Sequence, residues 1–262
     1  MIEKIRHVNA TRYISPLREG GSLPAIVAAD DDFMYVMKFR GAGQGLKALI
    51  ADLIGGEVAR ALDLKIPEMV FIELAEGFGR TEPDEEIQDL LKSSTGSNLG
   101  LHFLSGAITF DPEVHKIDAL SASKIIWLDA YLMNIDRTAK NTNLLVWQHE
   151  NWLIDHGASL YFHHNWDSLE TSLHSAFAMI KSHVLLPLAT ELHQAEFLAL
   201  SKLNKEKINE IVALVPEEWL ALSEREQAPE VTRAGYIRFL TERLKYSNTF
   251  TKQAEDARKT II

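Results

Sequence analysis

The chain is 262 residues long with 46% hydrophobic and 24% charged residues, enough apolar material to bury a sizeable core, so a disordered chain is excluded and one large domain or two small lobes are expected. It contains no cysteine, which excludes disulfides, thiolate metal sites and a cysteine nucleophile and leaves carboxylates, histidines and hydroxyls for any chemistry. A net charge of -10 repels a phosphate backbone over most of the surface, and no apolar run approaches the roughly 18 to 20 residues of a membrane span. Neither nucleic acid nor membrane is therefore expected as a direct partner, and the start MIEKIRHVNATRY offers no apolar segment for export, so the expected compartment is the cytoplasm.

The chain order begins with two β-prone runs, 25 to 29 and 33 to 39, around the acidic turn Asp30-Asp31-Asp32, which reads as a hairpin preceded by the turn Gly20-Gly21-Ser22. A glycine-rich loop, Gly41 to Gly45, opens a helical stretch to about Leu62, and PEMVFIEL (67 to 74) reads as a strand. Residues 76 to 97 form a polar insertion in which EEIQDLLK has one or two helical turns. Asn98 to Thr109 suits a strand and an extended connection, and a lobe boundary belongs there. From Lys116 onward helices dominate: 117 to 133, 170 to 200 in pieces broken near Pro187, 203 to 213 and 228 to 246. One β pair interrupts them, 143 to 147 with 151 to 155.

The chemistry concentrates in DAYLMNIDRTAKNTNLLVWQHENWLIDHG (129 to 157). Asp136 precedes Asn141 by five positions, a hairpin follows, and Asp155-His156-Gly157 comes next, in the order that protein kinases use for a catalytic Asp, a metal-binding Asn and a metal-binding Asp. Phosphoryl transfer asks the protein mainly for positioning and charge neutralisation. One carboxylate must orient the attacking hydroxyl, a role that suits Asp136. An amide oxygen and a second carboxylate must hold magnesium, a hard cation that prefers oxygen, and Asn141 and Asp155 fit that role. Lys38, at the end of YVMKF, is placed to reach ATP phosphates, although an isolated lysine is by default a solvated surface group.

In the helix after the hairpin, Glu57 shares a stripe with Leu46, Ile50, Leu53 and Ala61, so pairing with Lys38 is the expectation. The alternative leaves Glu57 at the wet edge of that stripe. Gly20, Gly21 and Ser22 lie where a phosphate-covering loop belongs, and the Gly41 to Gly45 run, at a helix N-terminus, is a second candidate. His156, His163 and His164 lack the spacing of a metal site, and Trp127, Trp147 and Trp152 read as packing.

NIDRTAKNTNLLVW followed by WLIDHGASLYFHH, together with YVMKFRGAGQGLKAL and NLGLHFLSGA, resembles the HipA-like kinases, in their compact branch, over roughly residues 10 to 170, and more distantly the lipid kinases. The resemblance implies an α+β, two-lobed protein-kinase-like fold, with a β-rich N-lobe (1 to 106) and a helical C-lobe (107 to 262). It also implies ATP- and magnesium-dependent phosphorylation of protein serine or threonine. It makes Asp136 the base, Lys38 a phosphate ligand, Asn141 and Asp155 magnesium ligands, and His102, Phe103 and Leu104 part of the adenine-contacting hinge. It further implies autophosphorylation at Ser22 and an antitoxin-like protein partner. The chain departs from the larger toxins of the family in Thr138 after Arg137 in place of His and in its shorter length, and the shorter length weighs against that pairing. A small-molecule or lipid kinase and a nucleotide-binding pseudokinase module stand as alternatives, because fold does not fix substrate.

Overall fold

Short runs of alternating apolar and polar residues carry the first part of the chain into a closed barrel of strand order β1-β2-β3-β5-β4. The computed structural model describes residues 4 to 17, 23 to 43, 45 to 80, 82 to 221 and 228 to 261. Its strands are β1 (Arg6–Pro16), β2 (Ala25–Ala29), β3 (Met34–Lys38), β4 (Met69–Leu74) and β5 (Gly96–His102). β2 and β3 form the expected hairpin, with Val27 opposite Tyr35 and Ala25 opposite Met37. β1 runs antiparallel to β2 and parallel to β4, which closes the barrel around Val8, Val27, Tyr35, Met37, Val70 and Ile72. Gly100 on β5 is required there, because a Cβ at that position would lie 2.3 Å from the Ile72 side chain.

The helix α1 (Gly45–Ala61) follows β3 and is buried nearly all round, as expected of a helix whose apolar residues occupy every face. Gly55 and Gly56 each cost about 1 kcal/mol in a helix interior. The burial of Leu46, Leu49, Ile50, Leu53, Ile54 and Val58, at roughly 1.5 to 3 kcal/mol each, outweighs that cost. The glycines allow close approach, to His156 at Gly55 and to Met69 at Gly56.

The polar insertion holds α2 (Glu85–Ser93), whose start is fixed by the Asp84 carboxylate accepting from the Glu86 and Ile87 amides. After β5 the chain enters a small sheet of β6 (Ile108–Thr109), β7 (Leu144–Trp147) and β8 (Glu150–Leu153), with α3 (Ala119–Leu132) inserted between β6 and β7. Asp118 caps α3 by accepting from the Ser121 amide at 2.8 Å. The far end of α3 is satisfied by the buried Arg243, which donates to the carbonyls of Tyr131 at 2.9 Å and Ala130 at 2.7 Å.

The remaining helices are α4 (Leu169–Leu173), α5 (Leu192–Lys202), α6 (Lys205–Ala213), α7 (Glu217–Leu220), α8 (Pro229–Lys245) and α9 (Ser247–Lys259). They pack with α3 into a second core that also holds most of α1. Trp219 of α7 returns to the barrel: its indole N–H donates to the Ser97 carbonyl at 3.2 Å and its ring meets Phe71 edge-on.

Three sequence expectations change. The N-terminal segment is an 11-residue strand, β1, which the sequence did not delimit because its residues are mostly polar and exposed. Within the helical stretch expected over 170 to 200, the part between α4 and α5 holds short 3-10 turns, at Ala178–Ser182 and Leu186–Leu188, in place of α-helix. The last helix, α9, was absent from the sequence reading. Trp127 is core, whereas Trp147 and Trp152 pack edge-on against each other near the surface.

Candidate active site

Lys38 ends β3 with its side chain almost wholly buried, and its ammonium lies 2.6 Å from Asp52 Oδ2 and 2.7 Å from Asp155 Oδ1. Burial alone pulls the ammonium down, but Asp155 and Asp52 outweigh it and hold Lys38 above its ordinary value. The expected pairing with Glu57 is corrected. Glu57 lies on another face of α1, paired with Arg60, and the carboxylate that meets Lys38 is Asp52. Position 52 points to the Lys38 side of the helix, and the stripe drawn through Glu57 faces elsewhere. Asp52 Oδ1 also accepts the His156 backbone N–H at 2.6 Å, so one carboxylate joins β3, α1 and the Asp155-His156-Gly157 turn. Burial pushes its carboxyl up to about 6.

The loop after α3 starts where Met133 adopts a left-handed conformation, φ 58°, and ends the helix. Asp129, in the last turn, is fully buried. Its Oδ2 takes the Arg137 Nε–H at 2.6 Å and His183 Nε2 at 2.8 Å, and its Oδ1 takes the Asn134 amide at 3.0 Å. His183 Nδ1 accepts the Leu185 N–H, so its proton sits on Nε2 and is donated to Asp129. Burial resists ionisation of Asp129, but Arg137 and His183 overcome it and hold the carboxyl below the usual range. Arg137 then donates to the Asn143 carbonyl and, at 3.4 Å, to the Ile154 carbonyl, tying the loop to the residues just before β7 and just after β8.

Asp136 is half-buried in this loop. Its Oδ2 accepts the Asn141 amide at 2.7 Å and the Asn143 amide at 3.2 Å, and its backbone N–H donates to Asn134 Oδ1. Burial pushes its carboxyl up, and the nearby Asp155 charge adds to that, against the two amide donors. Asp155 follows β8 in a left-handed conformation, φ 55°, with its Oδ1 held by Lys38 and the Gly157 N–H. The Lys38 charge holds its carboxyl below the ordinary value. Asp155 Oδ2 accepts no hydrogen bond among the described residues, and Asn141 uses its amide nitrogen on Asp136, which leaves its oxygen for a cation. These are hard oxygen donors of the kind magnesium takes.

The structure therefore forms two hydrogen-bonded groups, Lys38 with Asp52 and Asp155, and Asp136 with Asn141 and Asn143, on segments that the Arg137 clamp ties together. At the end of β5, the His102 and Phe103 N–H groups are committed to the carbonyls of Glu68 and Met34, while the Leu104 N–H has no partner among the described residues. Gly20, Gly21 and Ser22 lie outside the described residues. In the Gly41 to Gly45 run, the Gly41, Ala42 and Gly45 amides donate within the protein, to Ser94, Phe39 and Ala42, which weakens that run as an anion cradle. Among the described residues, no group of three His, Asp or Glu side chains could hold a metal, and His156 and His163 are buried.

Sequence reasoning missed Asp52, Asp129, Asn134, Asn143 and His183. The first two carried a signal: each is a lone carboxylate inside an apolar helical run, IADLI and IWLDAYL, where an unpaired charge is too costly to bury.

Residues 11–253 match the HipA-like kinase family. Among solved structures the chain resembles the Helicobacter pylori proinflammatory kinase CtkA, at 12% identity and a TM-score of 0.56, with 98% of each chain covered. It also aligns with the Golgi casein kinase at 12% identity and a TM-score of 0.45, covering 97% of this chain and 73% of that one. A second structure of that kinase, with Mn/ADP bound, aligns at 0.46, covering 99% and 75%. No curated protein matches the chain. The likeness to CtkA shows a mixed α+β, kinase-like fold, and no helix among the described residues is long and apolar enough to cross a membrane. With nearly its whole length matched, the chain belongs to the HipA-like kinase family.

Proposed function

We propose that this kinase transfers the γ-phosphate of ATP to a protein serine or threonine hydroxyl in a magnesium-dependent reaction. The observation that carries the reading is a Lys38–Asp155 pair and an Asn141–Asp136 pair on segments that Arg137 ties together, with an oxygen of Asp155 and the amide oxygen of Asn141 left for a cation. Asp136 orients the acceptor hydroxyl and takes its proton, and its raised carboxyl suits a base working near neutral pH. Lys38 gives up its contact with Asp155 to reach the phosphates while Asp52 keeps it aimed. Asn141 and Asp155 hold magnesium, which when bound neutralises phosphate charge. The Leu104 N–H, with His102 and Phe103 beside it, meets the adenine edge, and a phosphate-contacting role for Gly20, Gly21 and Ser22 stays an expectation of the family resemblance.

The proposed cleft lies between a β-rich lobe, 1 to 106, and a helical lobe, 107 to 262. The proposed compartment is the cytoplasm. An antitoxin-like partner and Ser22 autophosphorylation stay expectations of the family resemblance. The test is magnesium-dependent ATP turnover and autophosphorylation for the wild type beside Asp136→Asn and Asp155→Asn, with nucleotide binding followed in parallel. Loss of turnover in both variants is expected. Nucleotide binding by the wild type without turnover, with serine and threonine acceptors supplied, would replace this reading with a pseudokinase module.

A further inference from the structure

We propose that Asn143 is a positioning residue for Asp136, fixing one carboxylate oxygen so that the other is presented to the acceptor hydroxyl. This rests on the reading of Asp136 as the base. The two oxygens of that carboxylate are in different situations. Oδ2 accepts two amide hydrogen bonds, from Asn141 at 2.7 Å and from Asn143 at 3.2 Å, while Oδ1 accepts none among the described residues. Two donors use both lone pairs of Oδ2, and rotation of the carboxylate would break both bonds at once. Oδ1 is thereby left as the acceptor.

The two asparagines are not equivalent. Asn141 is exposed and, in the proposed reaction, also serves the cation through its oxygen. Asn143 is 7% exposed and anchored through its backbone: its carbonyl accepts from the Arg137 guanidinium and from the Ile154 N–H at 3.1 Å. Its φ of 47° lies in the left-handed region, which asparagine tolerates better than most residues. That conformation, immediately before β7, accompanies a side chain directed at Asp136. Asn143 is thus a fixed donor that need not change partner when the cation arrives.

The left-handed backbone supplies clean variants. Asn143→Gly adopts φ near 47° without strain and removes the amide together with its Cβ, and Asn143→Asp keeps the shape but replaces the donor with a like charge. Misplacing a reacting group by about 1 Å costs on the order of 100-fold. Asn143→Gly is therefore expected to lower kcat about 10- to 100-fold, with the KM for ATP, the affinity for a fluorescent ATP analogue and the thermal midpoint unchanged, and Asn143→Asp to lower kcat at least as far. Wild-type kcat in Asn143→Gly, with Asp136→Asn inactive, overturns the role of Asn143 and leaves the base reading standing. Full turnover in Asp136→Asn overturns the base reading itself. A parallel loss of nucleotide affinity and thermal midpoint in Asn143→Gly shows a merely structural role. A crystal structure of Asn143→Gly gives an answer independent of turnover: a rotated or split Asp136 carboxylate supports the inference, and a single unchanged rotamer refutes it.

Discussion

Replacing Asp52 by alanine separates two ways of holding Lys38. Asp52 is 3% exposed and accepts two hydrogen bonds of 2.6 Å, from the Lys38 ammonium and from the His156 backbone. Asp52→Ala leaves a buried N–H without its acceptor, at about 1 to 3 kcal/mol, and leaves Lys38 with Asp155 alone. Removing one partner of a buried pair costs about 3 to 5 kcal/mol. Because burial already pushes the Asp52 carboxyl up to about 6, part of that cost is relieved and the lower end, about 3 kcal/mol, is expected. For a chain of this size, at about 2 to 4 °C per kcal/mol, the thermal midpoint falls by roughly 6 to 12 °C. Turnover falls by at least about 10-fold, because the ammonium is no longer aimed from α1. Glu57→Gln, which touches the Arg60 pair instead, lowers turnover little. The assays are differential scanning calorimetry and steady-state ATP turnover on both variants. A wild-type midpoint and rate for Asp52→Ala, or an equal loss of turnover in Glu57→Gln, would refute the assignment of Asp52 as the partner of Lys38.

Gly55→Ala places a Cβ 2.6 Å from the His156 Cβ, so the Asp155-His156-Gly157 turn must shift. A loss of about 1 to 3 kcal/mol and a clear fall in turnover are expected, while Gly43→Ala, with open space around it, has no effect in the same melts and assays. Arg137→Met strands the buried Asp129 charge and is expected to cost about 3 to 5 kcal/mol in urea unfolding, and a variant as stable as the wild type would contradict the clamp. Acid also weakens the fold. Burial holds His156 down at about 3, and holds His163 and His183 below their ordinary value as well. Below about pH 6.5 the unfolded chain therefore binds protons that the folded chain refuses, and stability falls as pH falls. His156 contributes about 1.4 kcal/mol per pH unit over this range, Asp52, protonated earlier in the folded chain, offsets about as much below pH 6, and His163 and His183 add to the loss. The net expectation is a fall in stability from pH 6.5 to 5, and urea melts showing no change over that range would contradict it.

The hairpin around Asp30-Asp31-Asp32 and the β7-β8 pair were legible because alternation and turn residues are local. The Asp136, Asn141 and Asp155 pattern was legible for a related reason: a loop, a hairpin and a left-handed turn bring those positions together over a short stretch of chain, so order and spacing record the geometry.

The long-range choices were different. Which carboxylate of α1 meets Lys38 depends on how the helix rotates against β3 and on the Asp155 turn more than 100 residues later, and no local period records that rotation. His183 reaches Asp129 across 54 residues from a segment of 3-10 turns that the sequence suggested was helical. β1 is too polar to announce itself, and its place is fixed by pairing with β2 and, in parallel, with β4. The sequence by itself determined the residue types and spacing of the reactive loop and the local elements around it. Only the tertiary structure decided which buried charges pair and which amides fix Asp136, because the cost of an unpaired buried charge is settled by whatever group packing brings within about 3 Å.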